Sequence, residues 1–113
     1  ILLEGLYLKT HSGIVLTGVC FEERKIGAAV YDGENKAYVF SDRLDAAYHG
    51  TGDIFASTLT AALLRDRSLK AAAHIAVNFT CGCIKKTMES NSDMRYGVNF
   101  ETQIPNLIKY LEL

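Results

Sequence analysis

Proline is nearly missing from this 113-residue chain, which has one residue of that type, and tryptophan is absent altogether. With so little proline and no low-complexity tract, the sequence lacks the composition of a disordered linker. An excess of charge of one sign is lacking too. The formal net charge is −1, the pI is about 6.3, and the longest basic run is Lys85-Lys86. A phosphate backbone calls for a concentrated basic footprint, so nucleic acid is not an expected partner. No apolar run is long enough to span a bilayer, and a membrane is not expected either. Cysteine is scarce and odd in number, three residues with two in Cys81-Gly82-Cys83. The start, Ile1-Leu2-Leu3-Glu4, has neither the basic region nor the cleavage site of an export signal. These features point to reduced thiols and a cytoplasmic location. The start also lacks an initiator methionine, so the chain reads as part of a longer protein.

What is present is the material of one folded core: 49% hydrophobic residues, 22% charged, mean hydropathy +0.07. From Ile1 to about Thr10, Leu2, Leu3, Leu6 and Tyr7 fall at helical spacing. Ile14-Val15-Leu16-Thr17 is a short branched run ending at Gly18, which fits a buried strand. Cys20 to Lys25 reads as a polar connection. Two strand-like runs follow, Gly27 to Tyr31 and Lys36 to Phe40, joined by Asp32-Gly33-Glu34-Asn35, whose turn chemistry predicts a hairpin. Residues 41–50 are irregular. Helical signals dominate beyond Gly52, and Arg65-Asp66-Arg67-Ser68 breaks them, with Ser68 a cap for a helix from about Leu69 to Thr87. In that helix Ala72, Ala73, Ala76, Phe79, Thr80 and Cys83 form a close-packing stripe. Glu89 to Gly97 reads as a loop. Ile104, Leu107, Ile108 and Leu111 predict a last helix from about Phe100 to Leu111, with Pro105 in its first turns. The order is helix, strand, hairpin and three helices, α/β material whose sheet is small enough to be expected to complete a larger one.

The stretch with chemical content is His49-Gly50-Thr51-Gly52-Asp53-Ile54-Phe55. Glycines flank Thr51 where a helix should begin, and the first N–H groups of a helix have no intrahelical partner. With the helix dipole they make an anion site suited to a phosphate. Asp53 stands at its edge, where a carboxylate accepts the proton of an attacking hydroxyl while the amides hold the moving phosphoryl group. Taken alone, the tetrapeptide fits a capped turn better than a catalytic site.

Its setting, after a strand and hairpin and before a helix pair, changes the balance. Here the chain resembles the ribokinase superfamily, whose members carry a Gly-x-Gly-Asp motif at the start of a helix near the carboxyl end. Gly50-Thr51-Gly52-Asp53-Ile54-Phe55 is most similar to the pyridoxal and pyridoxamine kinases. Ile14 to Gly18 resembles their strand at the nucleotide site, and Arg95 to Glu101 their linker into the last helix. Sugar kinases of the superfamily usually place Ala or Gly where Thr58 follows Ser57. The resemblance implies the carboxyl-terminal portion of a three-layer α/β/α sandwich, with residues 1–113 in one domain whose amino-terminal part is absent. It implies ATP and Mg²⁺, the 5'-hydroxymethyl group of a vitamin B6 form as acceptor, and a homodimer. Hydroxymethylpyrimidine kinase or a sugar kinase of the same superfamily, and, from another class, a non-catalytic nucleotide-binding module, are the alternatives. Asp53 becomes the base, also touching the substrate, and Gly50, Thr51 and Gly52 the anion hole. Thr17, Ser41 and Asp42, together with Thr51 and Gly52, are the expected polar nucleotide contacts, with Ala76 and Phe79 near the adenine. Core packing is the competing role for Ala76 and Phe79. No metal ligand is expected within the chain. Cys81 and Cys83 would face different sides of a helix, and the acidic Mg²⁺ motif of the family lies upstream.

Overall fold

The computed structural model describes residues 2–10, 12–22, 25–42, 50–89 and 100–112. Helix α1 (Leu2–Thr10) leads into strand β1 (Ile14–Glu22), then β2 (Lys25–Tyr31) and β3 (Lys36–Asp42). Helices α2 (Thr51–Leu64) and α3 (Leu69–Glu89) follow, then a 3₁₀ turn (Glu101–Gln103) that runs into α4 (Ile104–Leu111). The strands form an antiparallel sheet in the order β1-β2-β3.

The expected hairpin is there, with Tyr31 opposite Lys36 in the ladder. Its turn is held by Asp32, whose Oδ1 accepts the N–H groups of Glu34 at 2.9 Å and Asn35 at 2.7 Å. The Tyr31 hydroxyl donates to the Gly33 carbonyl at 3.1 Å.

One expectation fails in the sheet. Residues Cys20 to Lys25 do not form a polar connection: β1 continues to Glu22 and β2 starts at Lys25, with Glu22 opposite Lys25. The strand also does not stop at Gly18. Gly18 has φ 71°, and the register shifts between Leu16 and Val19, so the chain bulges there and pairing resumes. A glycine tolerates that conformation without Cβ strain, and a bulge therefore prolongs a strand that the polar composition seemed to end. Ile14, Val15 and Leu16 are half-buried rather than buried, because among the described residues β1 pairs only with β2.

Alternation along the strands assigns the two faces. Ala28, Val30 and Val39 are buried against Ala73 and Val77 of α3, with Phe55 and Leu59 of α2 packed on the same cluster. On the opposite face, Lys36 forms a salt bridge with Glu4 of α1, and Leu3 of α1 is buried. Helices thus cover both faces of the sheet, and the layering is α/β/α. The stripe expected on α3 is buried, with Ala72, Ala73, Ala76 and Cys83 at 0% exposure. Small side chains let α2 and α4 approach closely: Ala62 meets Ala72 and Leu111, and Phe79 and Cys83 meet Leu107. On α4 only Leu107 and Leu111 pack inward, while Ile104 and Ile108 stay partly exposed.

Ser68 caps α3 as expected, its Oγ accepting the Ala71 N–H at 3.1 Å. The preceding turn is tied to the end of α4 by Arg67, whose Nη2 donates to the Leu111 carbonyl at 3.1 Å. Among the described residues, no helix is long and apolar enough to cross a membrane.

Candidate functional site

Helix α2 opens on Gly50, which takes φ 91° and ψ −3° and supplies no side-chain cap. A side chain is strained at that φ, so glycine here is a backbone requirement. The first intrahelical bond runs from the Ile54 N–H to the Gly50 carbonyl at 2.9 Å. The amides of Gly52 and Asp53 come before it, at the positive end of the helix dipole. The sequence has therefore built a helix tip whose N–H groups point outward without a serine or aspartate at the cap position.

Beside this tip lies a cleft of about 520 Å³. Thr51 and Gly52 line it at the tip, Thr17 and Gly18 at the bulge of β1. The walls are otherwise apolar: Val15 from β1, Phe55 and Leu59 from α2, and Val77, Cys81 and Ile84 from α3. Thr80 is the polar member of the α3 wall. A volume of this size, mostly apolar with a few converging polar groups, matches the usual character of a small-molecule site.

Asp53 belongs to the same helical turn but faces a second, smaller cleft of about 320 Å³, shared with Ser57, Phe79, Phe100 and Leu107. Thr51 and Asp53 are two residues apart, a turn of about 200°, so Thr51 lines the large cleft and Asp53 the smaller one, on either side of the tip. Asp53 is exposed, and among the described residues it enters no salt bridge. It is not drawn into the interior.

The remaining expected contacts are placed as follows. Thr17, Thr51 and Gly52 share the large cleft. Ser41 is half-buried near the end of β3, opposite Ile26, and lines neither cleft. Asp42 ends β3, and its side chain lies outside the described ones, as do His49 and residues 95–99. Ala76 is fully enclosed and Phe79 is 5% exposed, in the cluster with Cys83 and in the wall of the smaller cleft. The side of α3 that meets the large cleft is one step round the helix, at Val77, Thr80, Cys81 and Ile84. Those residues fall at i, i+3, i+4 and i+7, a spacing that could have been read as a second stripe. Burial, and then the nearby charge of Glu101, push the Cys83 thiol up to about 11, so it stays protonated and unreactive at neutral pH. Among the described residues, no group of three or more His, Cys, Asp or Glu side chains could hold a metal ion.

With the geometry in view, the comparisons with known proteins are informative. No curated protein matches the chain. The pyridoxal kinase of Lactobacillus plantarum superposes with a TM-score of 0.87 and 27% identity, over 99% of this chain and 41% of that one. A Bacteroides thetaiotaomicron protein assigned as a phosphomethylpyrimidine kinase gives 0.84 and 31% identity, over 94% of this chain and 38% of that one. A second crystal form of that protein, with pyridoxal, gives 0.81 and 31% identity over 93% of this chain. The present chain spans 38% to 41% of the length of these structures, and its fold is that of the carboxyl-terminal part of a pyridoxal kinase. The family model for phosphomethylpyrimidine kinase matches residues 3–98. Fold, helix tip and family match agree, and the chain belongs to the phosphomethylpyrimidine kinase family.

Proposed function

We propose that this chain is the carboxyl-terminal, nucleotide-binding part of an ATP-dependent kinase. Its acceptor in this reading is a hydroxymethyl group on a heteroaromatic ring, the 5'-hydroxymethyl of pyridoxal, pyridoxamine or pyridoxine. The observation that carries the reading is the first turn of α2. An uncapped glycine tip adjoins an apolar cleft, and an exposed carboxylate stands in the same turn. The acceptor oxygen attacks the γ-phosphorus of ATP, the bond to the ADP oxygen breaks, and Asp53 takes the hydroxyl proton. The amides from Gly50 to Gly52 stabilise the charge on the phosphoryl oxygens during the transfer.

Residues 1–113 would then be one end of a single ribokinase-like domain, with the unpaired side of β1 as the natural junction with further strands. The amino-terminal part would supply most acceptor contacts and the acidic groups that would hold Mg²⁺, which would offset the charge of the phosphates during transfer. A homodimer in the cytoplasm belongs to the same reading. Hydroxymethylpyrimidine is the second acceptor to consider, because the matching family model is that of phosphomethylpyrimidine kinase. Both acceptors present a hydroxymethyl group on a nitrogen heterocycle.

The test is an ATP-coupled assay of the full-length protein with the three B6 forms, hydroxymethylpyrimidine and simple sugars. Turnover of the B6 forms is expected. Turnover of hydroxymethylpyrimidine alone transfers the assignment to the second acceptor, and phosphorylation of a sugar alone overturns both.

A further inference from the structure

Three threonines on the two long helices differ in where their hydroxyls go. Thr60 donates to the Ala56 carbonyl at 2.9 Å and Thr87 to the Cys83 carbonyl at 2.8 Å. Each thus returns to the carbonyl four residues earlier, the usual solution in a helix. Thr80 does not. Its side chain is more than nine-tenths buried, its Oγ1 has no hydrogen-bond partner, and the residue lines the large cleft. A buried hydroxyl without a partner destabilises the protein that keeps it, so an orphan in a cleft wall marks a place where a bound molecule completes the bond.

We propose that Thr80 fixes the base of the nucleotide in this cleft, an assignment that rests on the nucleotide reading above. The neighbouring walls, Val77, Ile84, Phe55 and Leu59, are apolar and suit the flat face of a purine. Thr51 and Gly52, at the tip of α2, line the same cleft and suit the phosphates. A helical threonine has two accessible χ1 wells, which leaves its hydroxyl free to turn to a bound group. The hydroxyl both donates and accepts, so it can meet an amino group or a ring nitrogen on the base edge. The phosphates are thus held by backbone and the base by one side chain on α3.

The experiment measures ATP and tripolyphosphate affinity by calorimetry on the full-length protein, with Thr80→Val and Thr80→Ser beside the wild type. Thr80→Val keeps the shape and removes the hydroxyl. It is expected to weaken ATP by about three- to tenfold, leave tripolyphosphate unchanged and raise the melting midpoint. Thr80→Ser retains the hydroxyl and the ATP affinity. A merely structural residue would move the midpoint without moving ATP relative to tripolyphosphate. Equal ATP affinity in wild type and Thr80→Val overturns the assignment and leaves the kinase reading intact, while a wild type that binds no ATP overturns both. Thr80→Ala supplies the same readout should Thr80→Val not fold.

Discussion

The two long helices begin in opposite ways. At the start of α3, Ser68 folds its hydroxyl back onto the Ala71 amide, and the helix end is closed by its own side chain. At the start of α2, Gly50 closes nothing and lies in a left-handed conformation that a side chain would resist. Both ends face the same requirement, since the first amides of any helix need acceptors. One solves it within the chain. The other has no side-chain cap at Gly50, and its tip lies beside a cleft, where binding needs donors. On the proposed reading, the difference separates a structural helix start from a functional one, although glycine and serine are both common at this position.

Four changes would break or sharpen that contrast. The largest effect is expected from Asp53→Asn in the full-length protein. Turnover should fall by about a hundredfold to ten-thousandfold, with ATP affinity retained in calorimetry. Undiminished turnover would remove the base from the proposal. Next comes Gly50→Ala, which forces a Cβ into φ 91°. A loss of about 1–2 kcal/mol in denaturant unfolding is expected, together with weaker ATP binding. Unchanged binding would mean that the tip does not hold the phosphates. Ser68→Ala should lower stability by about 1 kcal/mol and leave ATP affinity alone, and a joint change in both would erase the distinction between the two ends.

The smallest effect concerns a third closed group of amides, at the hairpin. The backbone N–H groups of Asn35 and Glu34 hold the Asp32 carboxyl below its ordinary value of 3.8. A carboxylate with a lowered folded pKa stabilises the native state fully above its unfolded pKa, and that contribution is lost as pH falls through the folded value. The stability gap between wild type and Asp32→Ala should therefore be present at neutral pH and narrow below the ordinary carboxylate range. Unfolding midpoints measured at both pH values decide it, and a gap of equal size at both would count against the turn's ionic character.

Legibility followed the range of the interactions. The Asp32 to Asn35 turn and the Ser68 cap could be read from the residues because each is satisfied within three positions of itself. The alanine stripe of α3 was legible for a related reason, since periodicity alone assigns a helix its inner face. The end of β1 was not: only its partner strand shows that pairing resumes beyond Gly18. Which side of α3 meets the large cleft could not be read from spacing either. The rotation of α3 is set by α2 and α4, and that rotation gives the large cleft Val77, Thr80, Cys81 and Ile84.

By itself, the sequence determined the helix starts, the hairpin turn and the Gly50 to Asp53 motif, because backbone conformation and capping act over a few residues. Tertiary structure alone decided that Gly52 and Asp53 face different clefts, and that Thr80 keeps a buried hydroxyl without a partner. Those outcomes depend on which surfaces three separate elements bring together, and no local rule contains that information.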